Sequence, residues 1–403
     1  MQNVTNIFFI FLKLGLTSFG GPVAHLAYFR HEFVQQRKWF SEEGYSNIVA
    51  LCQFLPGPAS SQVGMIVGLS QAGYGGLLAA WIGFTLPSAL LLMAFAMSLN
   101  YFEQVIGAGV LHGLKIVALV VVIQAVWSMG KSLCPDRPRM SLMAVSACVV
   151  LLFPLVGTQV AVLLCAAVIG MLLFRATSQP QEIVSITTYL PNKRLAVMNL
   201  VLFASLLVSL PFLANWFDDD LLSLADIFYR AGALVFGGGH VVLPLLQAEV
   251  VPELLSNERF LAGYGAAQAV PGPLFTFSAF LGSSIGSVSG SESLQESVWL
   301  GVFSVVVIFL PSFLLVMGVL PFWQTAQKST KMQSALLGVN AAVVGILLAA
   351  LFDPIWINSI QKVEDFVFAL VIFTMLFFWR LPVWLVVVIG GILGGIANFM
   401  AFA

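Results

Sequence analysis

Two cationic residues stand at matching positions of this chain. Lys13 lies seven residues before Gly20 and Arg230 lies seven residues before Gly237, so a shift of 217 positions superposes one pair on the other. A cation at the centre of a membrane-spanning helix costs about 2.5–3.5 kcal/mol on insertion scales, so such residues are usually functional. Two equivalent cations can attract one anion from both sides. The alternative is that both side chains extend to the membrane surface.

Glycine and proline motifs near these cations offer a second way of binding an anion. Segments that follow such motifs are expected to begin helices, and a helix start presents free N–H groups and a partial positive charge. Nearby hydroxyl and amide side chains add donors. The alternative is that the prolines only kink helices and the hydroxyls satisfy freed carbonyls. The predicted substrate-binding set is Lys13, Arg230, Gly20, Gly21, Pro22, Gly237, Gly238, Gly239, Gln53, Pro56, Gly57, Pro58, Ser60, Ser61, Gln268, Pro271, Gly272, Pro273 and Thr276.

Acidic residues accompany the two cations. Glu32 and Glu249 also match under the shift of 217 and are candidates for a symmetric proton-coupling site. The alternative is that they are ordinary charges at the membrane surface. Asp226 precedes Arg230 by four residues, which is one helical turn, so a local salt bridge is expected to neutralise part of the arginine charge.

No catalytic, nucleotide or metal motif is found in the sequence. His31-Glu32-Phe-Val-Gln35 lacks the second histidine of the H-E-x-x-H zinc motif, and the run Phe236–His240 is not G-x-G-x-x-G. No Walker motif and no nucleophile–base pair stand out. We therefore expect no enzyme and no cofactor. A membrane enzyme is the alternative of another class, and it would need a cofactor motif or a catalytic cluster. The four cysteines form no C-x-x-C pair and are expected to be small buried residues.

The elements that must position these residues occur twice in the chain. FLKLGLTSFGGP (11–22) is similar to FYRAGALVFGGG (228–239), Gln53–Pro58 recurs as Gln268–Pro273, and Leu-Pro-Ser recurs at 86–88 and 310–312. A duplicated apolar chain with glycine- and proline-broken helices is typical of transporters whose site lies between the halves. The predicted units are a first repeat (1–174), a linker with one connecting helix (175–221) and a second repeat (222–403).

Composition places the chain in a lipid bilayer. Of its 403 residues 60% are hydrophobic and 9% are charged, and the mean hydropathy is +0.99. Soluble proteins carry about 25% charged residues. The net charge of −1, without a basic patch, argues against a nucleic-acid partner. Long apolar runs indicate helices rather than a barrel. Such runs lie near 74–98, 106–130, 195–214, 296–320, 335–352 and 382–400, with shorter ones near 140–155, 158–174 and 366–379.

Two segments in each half are too short or too polar to span and are broken by a glycine–proline motif. They lie near 4–37 and 45–73, and near 222–255 and 260–288. We interpret each as a helical hairpin whose tip is surrounded by protein or a water-filled cavity. The connecting helix carries the chain across the membrane once more, so the repeats have inverted topology. If the first-half hairpins open to the cytoplasm, most Lys and Arg residues lie inside, as the positive-inside rule requires.

Four motifs in this order make the chain resemble the two-domain form of the bacterial chromate transporter family. They are Phe19-Gly-Gly-Pro22, Pro56-Gly-Pro58, Phe236-Gly-Gly-Gly-His240 and Pro271-Gly-Pro273, and the similarity extends from about residue 5 to 400. The resemblance implies an inner-membrane protein that exports chromate and confers chromate resistance. Sulfate is a structural mimic, so uptake or exchange of sulfate or another oxyanion stays an alternative, as does a homodimer. Gly239 stands where the first half has Pro22, so the two half-sites differ.

Overall fold

The protein is an all-α polytopic membrane protein. A computed structural model describes residues 2–102, 108–154, 156–174, 191–236, 238–288, 294–323 and 329–402, and within these ranges it contains helices and loops but no strand. Within the described ranges, five helical stretches are long and apolar enough to span a membrane, namely Ala59–Leu99, Gly109–Leu133, Lys193–Phe217, Leu294–Phe322 and Thr330–Ser359. The predicted fold class is confirmed.

The first repeat contains seven helices in the part of the chain that is described. They are α1 (Val4–Thr17), α2 (Gly21–Arg30, continued by a π-helical turn at His31–Gln36), α3 (Glu42–Phe54), α4 (Ala59–Phe102), α5 (Ala108–Leu133), α6 (Arg137–Leu152) and α7 (Val156–Leu173). Helix α4 breaks at Ala72 and Gly73, where Gly73 has φ +62°. The break divides α4 into a hairpin arm and a spanning arm.

Helix α8 (Lys193–Phe217) connects the repeats, and the second repeat follows the order of the first. Its helices are α9 (Asp220–Leu234), α10 (Val242–Val250, after a 3₁₀ turn at Gly239–Val241), α11 (Asn257–Ala269), α12 (Phe277–Val288, after a 3₁₀ turn at Leu274–Thr276), α13 (Leu294–Val319), α14 (Thr330–Ala350, continued through Leu351–Trp356 and Ile357–Ser359), α15 (Val363–Phe377) and α16 (Val383–Phe402). One additional crossing by α8 gives the second repeat the opposite orientation.

The predicted hairpins are present in both repeats. The ring of Phe11 on α1 lies 5.7 Å from Phe29 and 5.3 Å from Phe33 on α2, so the two helices run back along each other. In the second repeat, Phe260 and Tyr264 on α11 lie 5.2 and 5.8 Å from Phe277 on α12. In each repeat, aromatic contacts thus join the two arms of one hairpin.

Each repeat is completed by helices of the other. Helix α5 packs on α16 and helix α14 packs on α7. A Cβ added to Gly113 would lie 2.3 Å from the Gly390 carbonyl oxygen, and one added to Gly338 would lie 2.0 Å from the Ala166 carbonyl oxygen. Small residues allow membrane helices to approach this closely. The two exchanged contacts are equivalent, so the halves form one body.

The equivalent hairpins differ in how tightly they are packed. Helix α11 lies against α5, where a Cβ on Gly265 would be 2.6 Å from the Leu114 carbonyl oxygen. In the first repeat Val23 is 83% exposed and Gln53 is exposed. The amide nitrogen of Gln268, which is the equivalent of Gln53, is buried. The second-repeat hairpins are therefore held inside the body, whereas the first-repeat hairpins have free surface.

All four cysteines are free thiols. Cys52 and Cys134 are buried, as expected, but Cys148 and Cys165 are exposed. The expectation was wrong for these two because they lie on exposed faces of α6 and α7.

Candidate functional site

The repeated motifs meet where the two repeats touch. The N–H of Gly57 donates to the Val235 carbonyl oxygen at 2.7 Å, and the N–H of Gly272 donates to the Ser18 carbonyl oxygen at 3.0 Å. Ser18 and Val235 are equivalent residues at the ends of α1 and α9. These four residues form the inter-repeat joint, in which each Pro-Gly-Pro loop is bonded to the opposite repeat.

The Leu-Pro-Ser motif explains why the joint needs glycine. A Cβ on Gly57 would lie 2.6 Å from the Ser312 hydroxyl oxygen, and a Cβ on Gly272 would lie 2.8 Å from that of Ser88. Both glycines have positive φ, +113° and +108°. The Pro-Gly-Pro loop of each repeat therefore fits against the serine of the other, which accounts for the third pair of repeated motifs.

A central cavity of about 310 Å³ lies between the hairpin tips of the two repeats. Seven residues of the predicted substrate-binding set line it: Gly20, Gly21, Pro22, Gly238, Gly239, Gln268 and Gly272. Gly237, also in that set, lies outside the described residues. The cavity brings both glycine tips together at one place between the repeats, which is the position expected for a site in an inverted-repeat transporter.

Helix starts at the two glycine tips lack a side-chain cap. Among the described residues, no side chain caps α2 after Gly20 or the 3₁₀ turn after Gly238. In contrast, Asn3, Ser41 and Ser256 accept N–H bonds at the starts of α1, α3 and α11. The first N–H groups of a helix have no partner within it. At the glycine tips these donors stay at the cavity wall, where an anion can accept them.

Polar side chains around the central cavity supply further donors. The Gln268 amide nitrogen is buried and has no hydrogen-bond partner in the part of the chain that the structure describes. Gln124 and Ser128 line the cavity from α5 and lie one turn apart on the same face. His240 also lines it, and its Nδ1 lies 2.8 Å from the Tyr264 hydroxyl oxygen. Sequence reasoning missed Gln124, Ser128 and His240, although two polar residues four apart in an apolar helix are a recognisable signal.

Other members of the predicted set lie away from the cavity wall. Gln53 is exposed, and the Ser60 hydroxyl lies 3.4 Å from Nδ1 of His25. Ser61 is buried with no partner among the described atoms, and Thr276 donates to the Pro273 carbonyl oxygen at 2.7 Å. The remaining residues, Pro56, Gly57, Pro58, Pro271 and Pro273, belong to the two loops of the inter-repeat joint.

The two predicted cations also lie away from the central cavity. Lys13 is exposed on α1. Arg230 donates from Nε to Asp226 at 3.0 Å and from Nη1 to Glu249 at 3.0 Å, which confirms the local salt bridge to Asp226. Glu32 is buried and accepts from Arg37 at 2.7 Å. Both candidate coupling glutamates are thus ion-paired, and Arg230 is held between two carboxylates.

Comparisons with known proteins agree on one family. A family profile described as Chromate transporter matches residues 5–171 and 222–395. The chain is 26% identical to a chromate transport protein of Pseudomonas aeruginosa, over 98% of the chain and 92% of that relative. It is 27% identical to an uncharacterized transporter of Methanocaldococcus jannaschii, over 85% of the chain and 82% of that relative. A chromate transport protein of Cupriavidus metallidurans is 26% identical over 84% of the chain and 80% of the relative. No solved structure matches the chain.

Proposed function

The chain belongs to the chromate transporter family, and on that premise we propose that it carries chromate out of the cell across the bacterial inner membrane and so confers chromate resistance. The observation that carries the proposal is the central cavity, where uncapped helix starts from both repeats face one space of about 310 Å³. Such a space suits a tetrahedral oxyanion and contains no pair of side chains arranged for covalent chemistry among its described residues.

Binding in this cavity relies on neutral donors. The N–H groups of the two glycine tips and the Gln268 amide contact the anion oxygens, and the helix starts add their partial positive charge. A hydrogen bond to a charged group is worth about 1.5–3 kcal/mol. Lys13 and Arg230, two turns from their tips, contribute attraction at longer range. The contribution of Arg230 is reduced because Asp226 and Glu249 share its charge.

Export needs no further energy source than the membrane potential. Moving one charge through 100 mV is worth about 2.3 kcal/mol, so a dianion that leaves a negative-inside cell gains about twice that. Glu32 and Glu249 are already engaged with Arg37 and Arg230. We therefore propose potential-driven movement without obligatory proton coupling.

Access to the cavity alternates as one repeat rocks against the other. The inverted repeats place equivalent hairpins on opposite sides of the same cavity. The inter-repeat joint is the pivot, because its four backbone groups connect the tips of both repeats. Movement of the loosely packed first-repeat hairpins against the packed second-repeat hairpins opens the cavity first to one face and then to the other.

Flux of labelled chromate in proteoliposomes tests the proposal directly. With an imposed potential and no proton gradient, we expect saturable, potential-dependent flux that excess sulfate slows. Flux that appears only with internal sulfate indicates exchange. Absence of flux under a potential, a pH gradient and internal sulfate alike would refute chromate transport.

A matched pair of variants connects the flux to the cavity. Gln268→Leu removes the buried amide and is expected to raise the chromate concentration for half-maximal flux by about tenfold or more, the equivalent of one lost hydrogen bond to a charged group. Gln53→Leu changes the equivalent but exposed residue and should leave that concentration unchanged. If both substitutions change the chromate concentration for half-maximal flux equally, Gln268 does not contact the anion.

A further inference from the structure

The described wall of the central cavity has no carboxylate, and every polar side chain on it can donate a hydrogen bond. Its polar side chains are Gln124, Ser128, His240 and Gln268, and none of its described lining residues is an Asp, Glu, Lys or Arg. The glycine tips add backbone N–H groups whose helices have no side-chain cap. The glutamines and the serine can offer an acceptor only by turning a donor away from the anion.

His240 is oriented by a residue behind the cavity wall. Tyr264 is fully buried, and its hydroxyl lies 2.8 Å from Nδ1 of His240. That contact is the only hydrogen bond of the Tyr264 hydroxyl to a described residue. We assign the phenol O–H as the donor to Nδ1, because the buried hydroxyl has no other acceptor among the described residues; the proton of the neutral imidazole then lies on Nε2. Nε2–H is then one more donor for the cavity. Val23, at the equivalent position of the first tip, offers no side-chain donor.

We propose that this cavity selects tetrahedral dianions that carry no proton, such as chromate, sulfate and selenate, and rejects hydrogen phosphate and hydrogen arsenate. His240 is a specificity-determining donor, and Tyr264 is the residue that positions it. The inference rests on the proposed function, since it assumes that the anion occupies the central cavity. Its physical basis is that the O–H of a hydrogen phosphate needs an acceptor. No carboxylate lines the described wall, so a glutamine or serine that accepts from this O–H withdraws a donor from the other oxygens of the anion. A buried donor left without a partner weakens binding.

Sulfate and hydrogen phosphate isolate the effect of the proton, because at pH 8 they have the same shape and charge and differ by one proton. The measurement is thermal stabilisation of the purified protein by potassium sulfate, selenate, phosphate or arsenate at matched ionic strength. We expect saturable stabilisation by sulfate and selenate, with a midpoint concentration about tenfold or more below that of phosphate and arsenate. Equal midpoints, or no saturable effect of any anion, would overturn the selectivity. General salt effects do not saturate and act on every variant alike.

Tyr264→Phe and Tyr229→Phe form a matched pair of variants for the role of His240. Tyr229 is another buried tyrosine, but its hydroxyl donates to the Phe203 carbonyl oxygen at 3.0 Å, away from the cavity. Tyr264→Phe is expected to reduce the phosphate-to-sulfate midpoint ratio at least threefold, whereas Tyr229→Phe leaves it unchanged. His240→Val, which makes the two tips alike, should reproduce the loss and replaces Tyr264→Phe if that variant does not fold. A wild-type ratio in both cavity variants would refute the assignment.

Chromate flux separates this inference from the proposed function. Selective stabilisation by sulfate without any chromate flux would refute chromate transport and support the anion selectivity of the cavity. Chromate flux that phosphate inhibits as strongly as sulfate would refute the selectivity and leave the transport function standing.

Discussion

Substitution of Gly57 by alanine tests the inter-repeat joint. The new Cβ would lie 2.6 Å from the Ser312 hydroxyl oxygen and 2.8 Å from the Gln62 amide nitrogen. Alanine would also have to adopt φ +113°. Backbone strain of this kind costs about 1–3 kcal/mol, and overpacking costs about 1–3 kcal/mol. The sum is a loss of about 2–6 kcal/mol. At about 2–4 °C per kcal/mol for a unit of 150–250 residues, the unfolding temperature should fall on the order of 10 °C.

Thermal unfolding of the purified variants, monitored by the appearance of aggregated protein, measures this loss. Gly130→Ala is the control, because a Cβ there meets no atom within 4 Å and Gly130 is helical. The double variant Gly57→Ala/Ser312→Ala removes the closest contact but keeps the backbone strain, so it should recover part of the loss. A Gly57→Ala protein as stable as Gly130→Ala would show that the joint is not close-packed. A double variant no more stable than Gly57→Ala would show that Ser312 is not the obstacle.

Two further predictions concern the charges and the exchanged helices. Arg230→Ala should destabilise the protein by about 3 kcal/mol because it leaves the Asp226 and Glu249 carboxylates unpaired, whereas Lys13→Ala at an exposed site should change stability by less than about 0.5 kcal/mol. Both variants should slow chromate flux. A wild-type flux in one of them would show that the substituted cation does not attract the anion. Gly113→Leu should separate α5 from α16, because its Cβ would lie 2.3 Å from the Gly390 carbonyl oxygen. We expect a lower yield and an aggregated profile on size-exclusion chromatography. A variant with wild-type yield and a monodisperse profile would contradict this packing.

The hairpins could be predicted from the sequence because their signals are local. Segments too short to span, each with a glycine–proline break, indicate a turn inside the membrane. The predicted segment near 45–73 corresponds to α3 and the first arm of α4, and the segment near 260–288 corresponds to α11 and α12. The repeat gives the glycine tips equivalent positions, and the structure places both at one cavity; that this cavity binds the substrate stays a prediction.

Contacts between the repeats could not be predicted in the same way. The bonds from Gly57 to Val235 and from Gly272 to Ser18 join backbone groups, which no side-chain pattern identifies. The different packing of Gln53 and Gln268 is also invisible, because the sequence treats them as equals. The charge pattern around Arg230 indicated one partner, Asp226, but gave no sign that Glu249 completes the pair from α10.

The inter-repeat joint can form only after both repeats have been synthesised. Val235 follows Gly57 by 178 residues, and Gly272 follows Ser18 by 254 residues. At about 5–20 residues per second the first repeat must wait on the order of 10–35 s before the acceptor for Gly57 is made. During that time its hairpin tips hold buried polar groups without their final partners, which is costly in lipid. Docking of the second repeat is therefore a late step of assembly. Until then, the first-repeat hairpins expose the surface that later contacts the second repeat.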